Sequence, residues 1–223
     1  MLSFKKLSVL ALALTASSVF AAAVVPTYTT FGTLAAANFG GTGIPNNAVA
    51  MTALTNGATL GLTATPRFSS PAVTNNGAGV FQAVSGAFGP GDNLAKWSFN
   101  FYVGGTQLGA YTYRLLGDYN AAVGDAEGSY ADISGYLGLP DSLLTPGTIQ
   151  NSQNLGFGTN FAQFDPNVAG EYGFILAAYQ GQQEVGRSAI LVNVGRVPEP
   201  ASLALVGIAL LGVVASLRRR NRR

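Results

Sequence analysis

Lys96-Trp97-Ser98-Phe99-Asn100-Phe101-Tyr102-Val103 alternates residue by residue, with Trp97, Phe99, Phe101 and Val103 on one face and Lys96, Ser98, Asn100 and Tyr102 on the other. Successive side chains of an extended chain point to opposite faces, so this period of two predicts a strand with one face in a core. Gly104-Gly105 follows, a pair suited to a tight turn, and Gln107 to Leu116 resumes the pattern with Tyr111, Tyr113 and Leu115 set against Thr112 and Arg114. Together they predict a hairpin. A second hairpin is predicted from Glu171 to Tyr179 and Glu184 to Val194, turning about Gly181, with Ile190, Val192 and Val194 on one face. Earlier strands are predicted at Tyr28 to Leu34, Val49 to Leu54, Thr59 to Thr63 and Val80 to Phe88. Asn56-Gly57, Asn75-Asn76-Gly77 and Gly89-Pro90-Gly91 punctuate them.

Eight or nine short strands without a convincing helix predict an all-β fold, an antiparallel β-sandwich of jelly-roll or immunoglobulin-like topology. Asp165 to Tyr172 has the Asp, Gly and Tyr spacing that precedes the penultimate strand of many immunoglobulin-like sandwiches, here without a cysteine pair. Asp118 to Gln153, with its acids spread among Gly and Pro, reads as a long connection holding one short strand at most.

The two ends of the chain are unlike its body. Met1 to Lys6 is a short basic lead, Leu7 to Phe20 is apolar, and Val19-Phe20-Ala21 or Ala21-Ala22-Ala23 offers the small residues that signal peptidase needs. This reads as a signal peptide over 1–21, cut after Ala21, with a cut after Ala23 as the alternative. At the other end Val197-Pro198-Glu199-Pro200 is followed by 17 uncharged residues from Ala201 to Leu217, then by Arg218, Arg219, Arg220, Asn221, Arg222 and Arg223. Seventeen helical residues reach about 26 Å against a hydrocarbon layer of about 30 Å, so 201–217 is just long enough to span. Nine of the 17 are Leu, Ile or Val, worth about −3 to −5 kcal/mol on insertion before Gly and Ser reduce it. The five arginines make a cytoplasmic stop and place the body across the membrane.

In this order, the motif, the span and the basic stop, with a signal peptide ahead, resemble the PEP-CTERM proteins of Gram-negative bacteria. Val197, Pro198, Glu199 and Pro200 match that pattern without departure. The resemblance covers 197–223 and implies recognition by an exosortase, a membrane-embedded enzyme that cuts near the motif and passes the protein to the cell surface or extracellular polysaccharide.

The exported domain, 24–196, then has 173 residues, enough for one core and too few to suggest two. It keeps five basic residues, Arg67, Lys96, Arg114, Arg187 and Arg196, against nine acids, a net of about −4. The basic balance of the whole chain comes from its ends, and nucleic-acid binding has no support. With no Cys and no His anywhere, disulfides, thiol nucleophiles, histidine triads and imidazole or thiolate metal ligands are excluded.

Two groups of residues in the body bear on chemistry. Asp118, Asn120, Asp125 and Glu127 are oxygen ligands of the type calcium takes, yet position 122 lacks an acid or amide and Ser129 stands where an EF-hand has Glu. Asp125 and Glu127 as a hydrolase pair gain no geometry from their spacing. Tyr102, Tyr119, Tyr130 and Tyr136 would serve a carbohydrate-binding module if they formed an exposed stacking platform, and core packing is their commoner use. The expectation is a non-enzymatic exported protein without cofactor, metal or catalytic residues, handled by signal peptidase and exosortase. The alternative is a carbohydrate-binding module of an exopolysaccharide matrix.

Overall fold

The computed structural model describes residues 23–157 and 164–195. Within them the chain forms β1 Thr30–Gly32, β2 Val49–Ala53, β3 Ala58–Pro66, β4 Thr74–Asn75, β5 Val80–Val84, β6 Trp97–Gly105, β7 Thr112–Gly117, β8 Ala131–Asp132, β9 Thr148–Gln153, β10 Gly170–Gln180 and β11 Gln183–Gly195. One sheet runs β1-β2-β3-β6-β9 and the other β4-β5-β11-β10-β7-β8. This is a two-sheet, all-β arrangement, consistent with a β-sandwich. No helix among the described residues is long and apolar enough to cross a membrane. The predicted leader 1–21 with its cut at Ala21, the motif Val197 to Pro200, the span 201–217 and the arginine cluster all lie outside those residues.

Apolar alternation fixes which face of each sheet points inward. Trp97, Phe99, Phe101 and Val103 of β6 are buried in one cluster with Tyr172, Phe174, Leu176 and Ala178 of β10 and with Ile190, Val192 and Val194 of β11. Phe99 stacks on Phe174 with centroids 4.3 Å apart and planes 18° from parallel. Trp97 meets Phe174 edge-on at 6.2 Å and Tyr172 at 5.7 Å. Such pairs add about 0.5–1.5 kcal/mol each beyond their burial. The Tyr172 hydroxyl donates back to the Val168 carbonyl at 3.2 Å, tying the start of β10 to the loop before it.

The predicted outer face of β6 is not wet. Ser98, Asn100 and Tyr102 are all buried: the β1–β2 connection brings Ala37 and Phe39 against Val49 and Tyr102, and the Asn100 side chain donates to the Thr65 hydroxyl at 2.9 Å. Buried Gln150 of β9 holds that flap: its side-chain oxygen accepts the N–H groups of Asn38 and Phe39, each at 2.9 Å.

Other expectations need correction. Gly104-Gly105 does not close a hairpin, since β6 and β7 belong to different sheets and are joined through a 3-10 turn at Leu108–Ala110. Gly105 takes φ +110, and a Cβ there would collide with the Gly57 carbonyl of the β2–β3 turn in the same sheet; the glycine serves that close approach. The fold is not purely antiparallel, because β5 pairs with β11 in parallel, Val80 opposite Leu191 through Val84 opposite Gly195. The 118–153 stretch carries two strands, β8 beside β7 and β9 beside β6. The β10–β11 hairpin forms as predicted, with Gln180 opposite Gln183.

Side-chain amides tie loops to strands. Asn154, fully buried, accepts from Ala95 N–H at 2.9 Å and Gly156 N–H at 3.1 Å. It donates to the carbonyls of Ala95 at 2.9 Å and Trp97 at 2.7 Å. Removing one side of a buried bond leaves its partner unsatisfied, at about 1–3 kcal/mol per group. Asn154→Ala is therefore expected to lower the unfolding free energy of the body by about 3 kcal/mol, read as a lower urea midpoint at unchanged slope. A midpoint equal to wild type would show the clamp to be dispensable.

Candidate functional site

β11 ends the described fold, and the position of its end decides what the segment after it can do. It is an interior strand of its sheet, with β10 antiparallel on one side and β5 parallel on the other. Ser85 N–H caps it by donating to the Gly195 carbonyl at 2.9 Å. Val197 is two residues beyond Gly195, so the predicted motif follows the sandwich with no spacer.

The acidic stretch lies partly at the same end. Asp118 leaves β7 by donating its N–H to the Gly173 carbonyl at 2.9 Å, and its carboxylate, 3% exposed, accepts from Asn120 N–H at 2.9 Å. Burial pushes its pKa up to about 6, the charges of Asp125 and Glu171 add to the rise, and the backbone bond from Asn120 opposes it. The Asn120 side chain is taken by Ala122 N–H at 3.1 Å. Glu127 is held by Arg187 at 2.6 Å, and Arg187 also binds Glu184. Hydrogen bonds to Glu184 and then Glu127 hold the guanidinium above its usual pKa. No three Asp or Glu side chains among the described residues could hold one metal ion together. Asp118, Asn120 and Glu127 are thus taken up by burial, a turn and an ion pair, while one carboxylate oxygen of Asp125 is buried without a hydrogen-bond partner. Glu127, in its ion pair, does not stand free beside Asp125 as a hydrolase pair would require.

The four tyrosines do not make a platform. Tyr102 is 4% exposed under the β1–β2 flap. Tyr119 and Tyr136 pack on the main core, where burial pushes the Tyr136 hydroxyl up to about 12. Tyr130 covers the outer face of the second sheet beside Leu116, Ile175 and Ala177. Its hydroxyl occupies the space that a Cβ on Gly173 would need, so β10 carries glycine there for a close approach.

Among the described residues, two clefts can be outlined. One of about 400 Å³ is lined by Phe31, Asn47, Thr63, Thr65, Asn75 and Phe81 among others, with no ionisable side chain. The other, about 330 Å³, is lined by Tyr119, Asn120, Ala121, Asp165, Val168 and Tyr172 and has one carboxylate. Neither brings two carboxylates to face each other.

One cluster is invisible to spacing. The Arg67 guanidinium lies 4.9 Å from the Phe68 ring centroid, 5.2 Å from that of Phe88 and 5.1 Å from that of Phe157. Burial lowers its pKa, partly countered by Asp92. These residues come from three distant stretches, and only the pairing of Pro66 with Trp97 and the fold of the 85–95 loop bring them together.

Comparison with known proteins adds one match: residues 196–220 fit the family model described as the PEP-CTERM protein-sorting motif. No curated protein matches the chain, and no solved structure does. The matched motif indicates exosortase-dependent sorting of an exported protein.

Asp118 gives a pH signature. Its folded pKa of about 6 lies above the ordinary 3.8, so its contribution to stability is full below pH ~4 and is lost as pH rises through ~6. Asp118→Asn is expected to match wild type near pH 4 and to exceed it by about 2 kcal/mol near pH 7.5. Urea midpoints across that range check this, and parallel pH profiles for the two proteins would refute it.

Proposed function

We propose that this chain is a non-enzymatic exported protein, sorted by an exosortase to the cell surface or an extracellular polysaccharide matrix, where its β-sandwich acts as a structural component. In this reading signal peptidase removes 1–21 after Ala21, 201–217 halts the chain in the membrane, and Arg218, Arg219, Arg220, Arg222 and Arg223 stay on the cytoplasmic side. The exosortase then acts near Val197 to Pro200.

The observation that carries the proposal is the join between fold and signal. The sorting match begins at residue 196, and the last strand ends at Gly195. A cut within the motif removes none of the described strands and leaves the described core whole, as a disposable signal requires. Two further points support a body without enzymatic activity: the lack of His and Cys, and described clefts with one carboxylate or none. The platform needed for the carbohydrate-binding alternative has Tyr102 buried, so the structural reading is preferred.

Glu199 is the one ionisable residue of the motif. In a host with an active exosortase, wild type is expected to lose the mass of its tail and leave the membrane fraction. Glu199→Ala is expected to retain both the tail and the membrane association. Mass spectrometry and cell fractionation follow this, and processing of the variant at the wild-type rate would remove the sorting account.

A further inference from the structure

The pole of the sandwich from which the sorting segment departs carries several exposed apolar side chains. Trp97 at the start of β6 pairs with Pro66 at the end of β3 and meets the Tyr172 ring. Tyr172 in turn stands opposite Val192 near the end of β11. The turn after β3, the 85–95 loop and the 164–169 loop therefore share one pole with Gly195. Hydrogen bonds close it: Gly86 N–H to the Pro166 carbonyl at 2.6 Å, Ser85 N–H to the Gly195 carbonyl at 2.9 Å. Ala121, whose carbonyl accepts from Glu171 N–H at 3.3 Å, brings the 121–124 loop to the same place.

Phe68 is 77% exposed here, Val123 79%, Val168 42% and Phe88 37%, four of the nine exposed large apolar side chains among the described residues. Phe68 holds this position in a left-handed backbone conformation, φ +48, which is unfavourable for a bulky residue. Arg67 lies over both rings, and Lys96 stands beside Gly86. Asp92 partly offsets Arg67, and Asp165 of the 164–169 loop together with Glu171, which accepts from Gly124 N–H at 3.0 Å, adds negative charge at the same pole, so attraction to this surface is apolar.

We infer that this pole rests on the lipid surface from which the sorting segment emerges, with Phe68, Phe88, Val123 and Val168 in the headgroup layer. Arg67 and Lys96 are placed to meet lipid phosphates. The inference rests on the proposed membrane span at 201–217. Five residues lie between Gly195 and Ala201, and the six steps from one to the other reach about 20 Å at full extension, so the pole cannot lie far from the bilayer. A sandwich held that close and bearing exposed apolar groups on the near side gains by burying them in the interface. The docked body would hold Val197 to Pro200 at the depth where a membrane-embedded enzyme works.

The chain has no cysteine, so single probe sites are simple to install. Full-length Phe68→Cys, with Ser69→Cys as a second site on the same turn, and Gln182→Cys at the opposite pole would each carry an environment-sensitive fluorophore. Each labelled chain would be reconstituted into vesicles of phosphatidylethanolamine and phosphatidylglycerol, with blue emission from buried Trp97 reporting that it is folded. Flotation with the vesicles reads the span, and quenching by lipid-borne spin labels reads the docking. The expected result is flotation of all three, with several-fold stronger quenching at 68 and 69 than at 182. Flotation with equally weak quenching at all sites would overturn the docking and leave the span intact. Failure to float would overturn both. A concentration-dependent blue shift at 68 without lipid quenching would show that a second copy covers the pole, and would also overturn it.

Discussion

The Phe99–Phe174 stack sets the spacing on which the rest of the sandwich depends. Phe99 sits mid-sheet on β6, flanked by β3 and β9, and Phe174 mid-sheet on β10, flanked by β7 and β11. Rings 4.3 Å apart lock the two inner faces at one separation, and the remaining aromatic contacts are arranged around them. Trp97 and Tyr136 approach the pair edge-on, and Phe164 meets Tyr172 behind it at 5.7 Å. Close packing of this type leaves few alternatives, because a shift at one ring must be passed to the next.

Around that aromatic centre, amide side chains do the fastening that disulfides do in many exported domains. Gln150 holds the β1–β2 flap, Asn154 holds the approach to β6, and Asn46 donates to the Ala37 carbonyl at 2.9 Å. Each satisfies backbone groups that would otherwise be stranded where a loop crosses a sheet. The two sheets are also joined by direct bonds at one seam, where Thr52 donates to the Arg187 carbonyl at 2.6 Å and Ser188 to Thr52 at 3.1 Å. Edges are kept short or covered: β4 and β8 have two residues each and β1 three, which leaves little open strand for another chain to pair with.

Strands with a strong apolar period are legible in the sequence itself. Trp97 to Val103 and Ile190 to Val194 declared both their existence and their inward faces. The same periodicity carries no information about which strands become neighbours, so the crossing at Gly104-Gly105 resembled a hairpin and the parallel partnership of β5 and β11 left no local trace. β9 escaped for a different reason. Thr148–Gln153 has one large apolar residue, Ile149, and is recruited by amide bonds and by pairing with β6, which are tertiary effects. The tyrosines failed as a platform because spacing cannot distinguish a ring facing solvent from one under a flap. The sorting motif was readable because its meaning lies in linear order, and order survives without a fold. The Arg67 cluster, assembled from three separated stretches, could be found only in three dimensions.

The interior position of β11 has a mechanical consequence. A load applied through Gly195, by a membrane tether or by a matrix attachment, is directed along the axis of a strand bonded on both sides over its final residues, Leu191 to Val194. Such a pull loads the rungs toward β10 and β5 together, in shear, instead of peeling them one at a time. Resistance to forced unfolding is governed by the barrier to leaving the native state, and parallel loading of many rungs raises that barrier. A protein attached to a cell exterior by this end would hold its shape under flow without a single covalent cross-link.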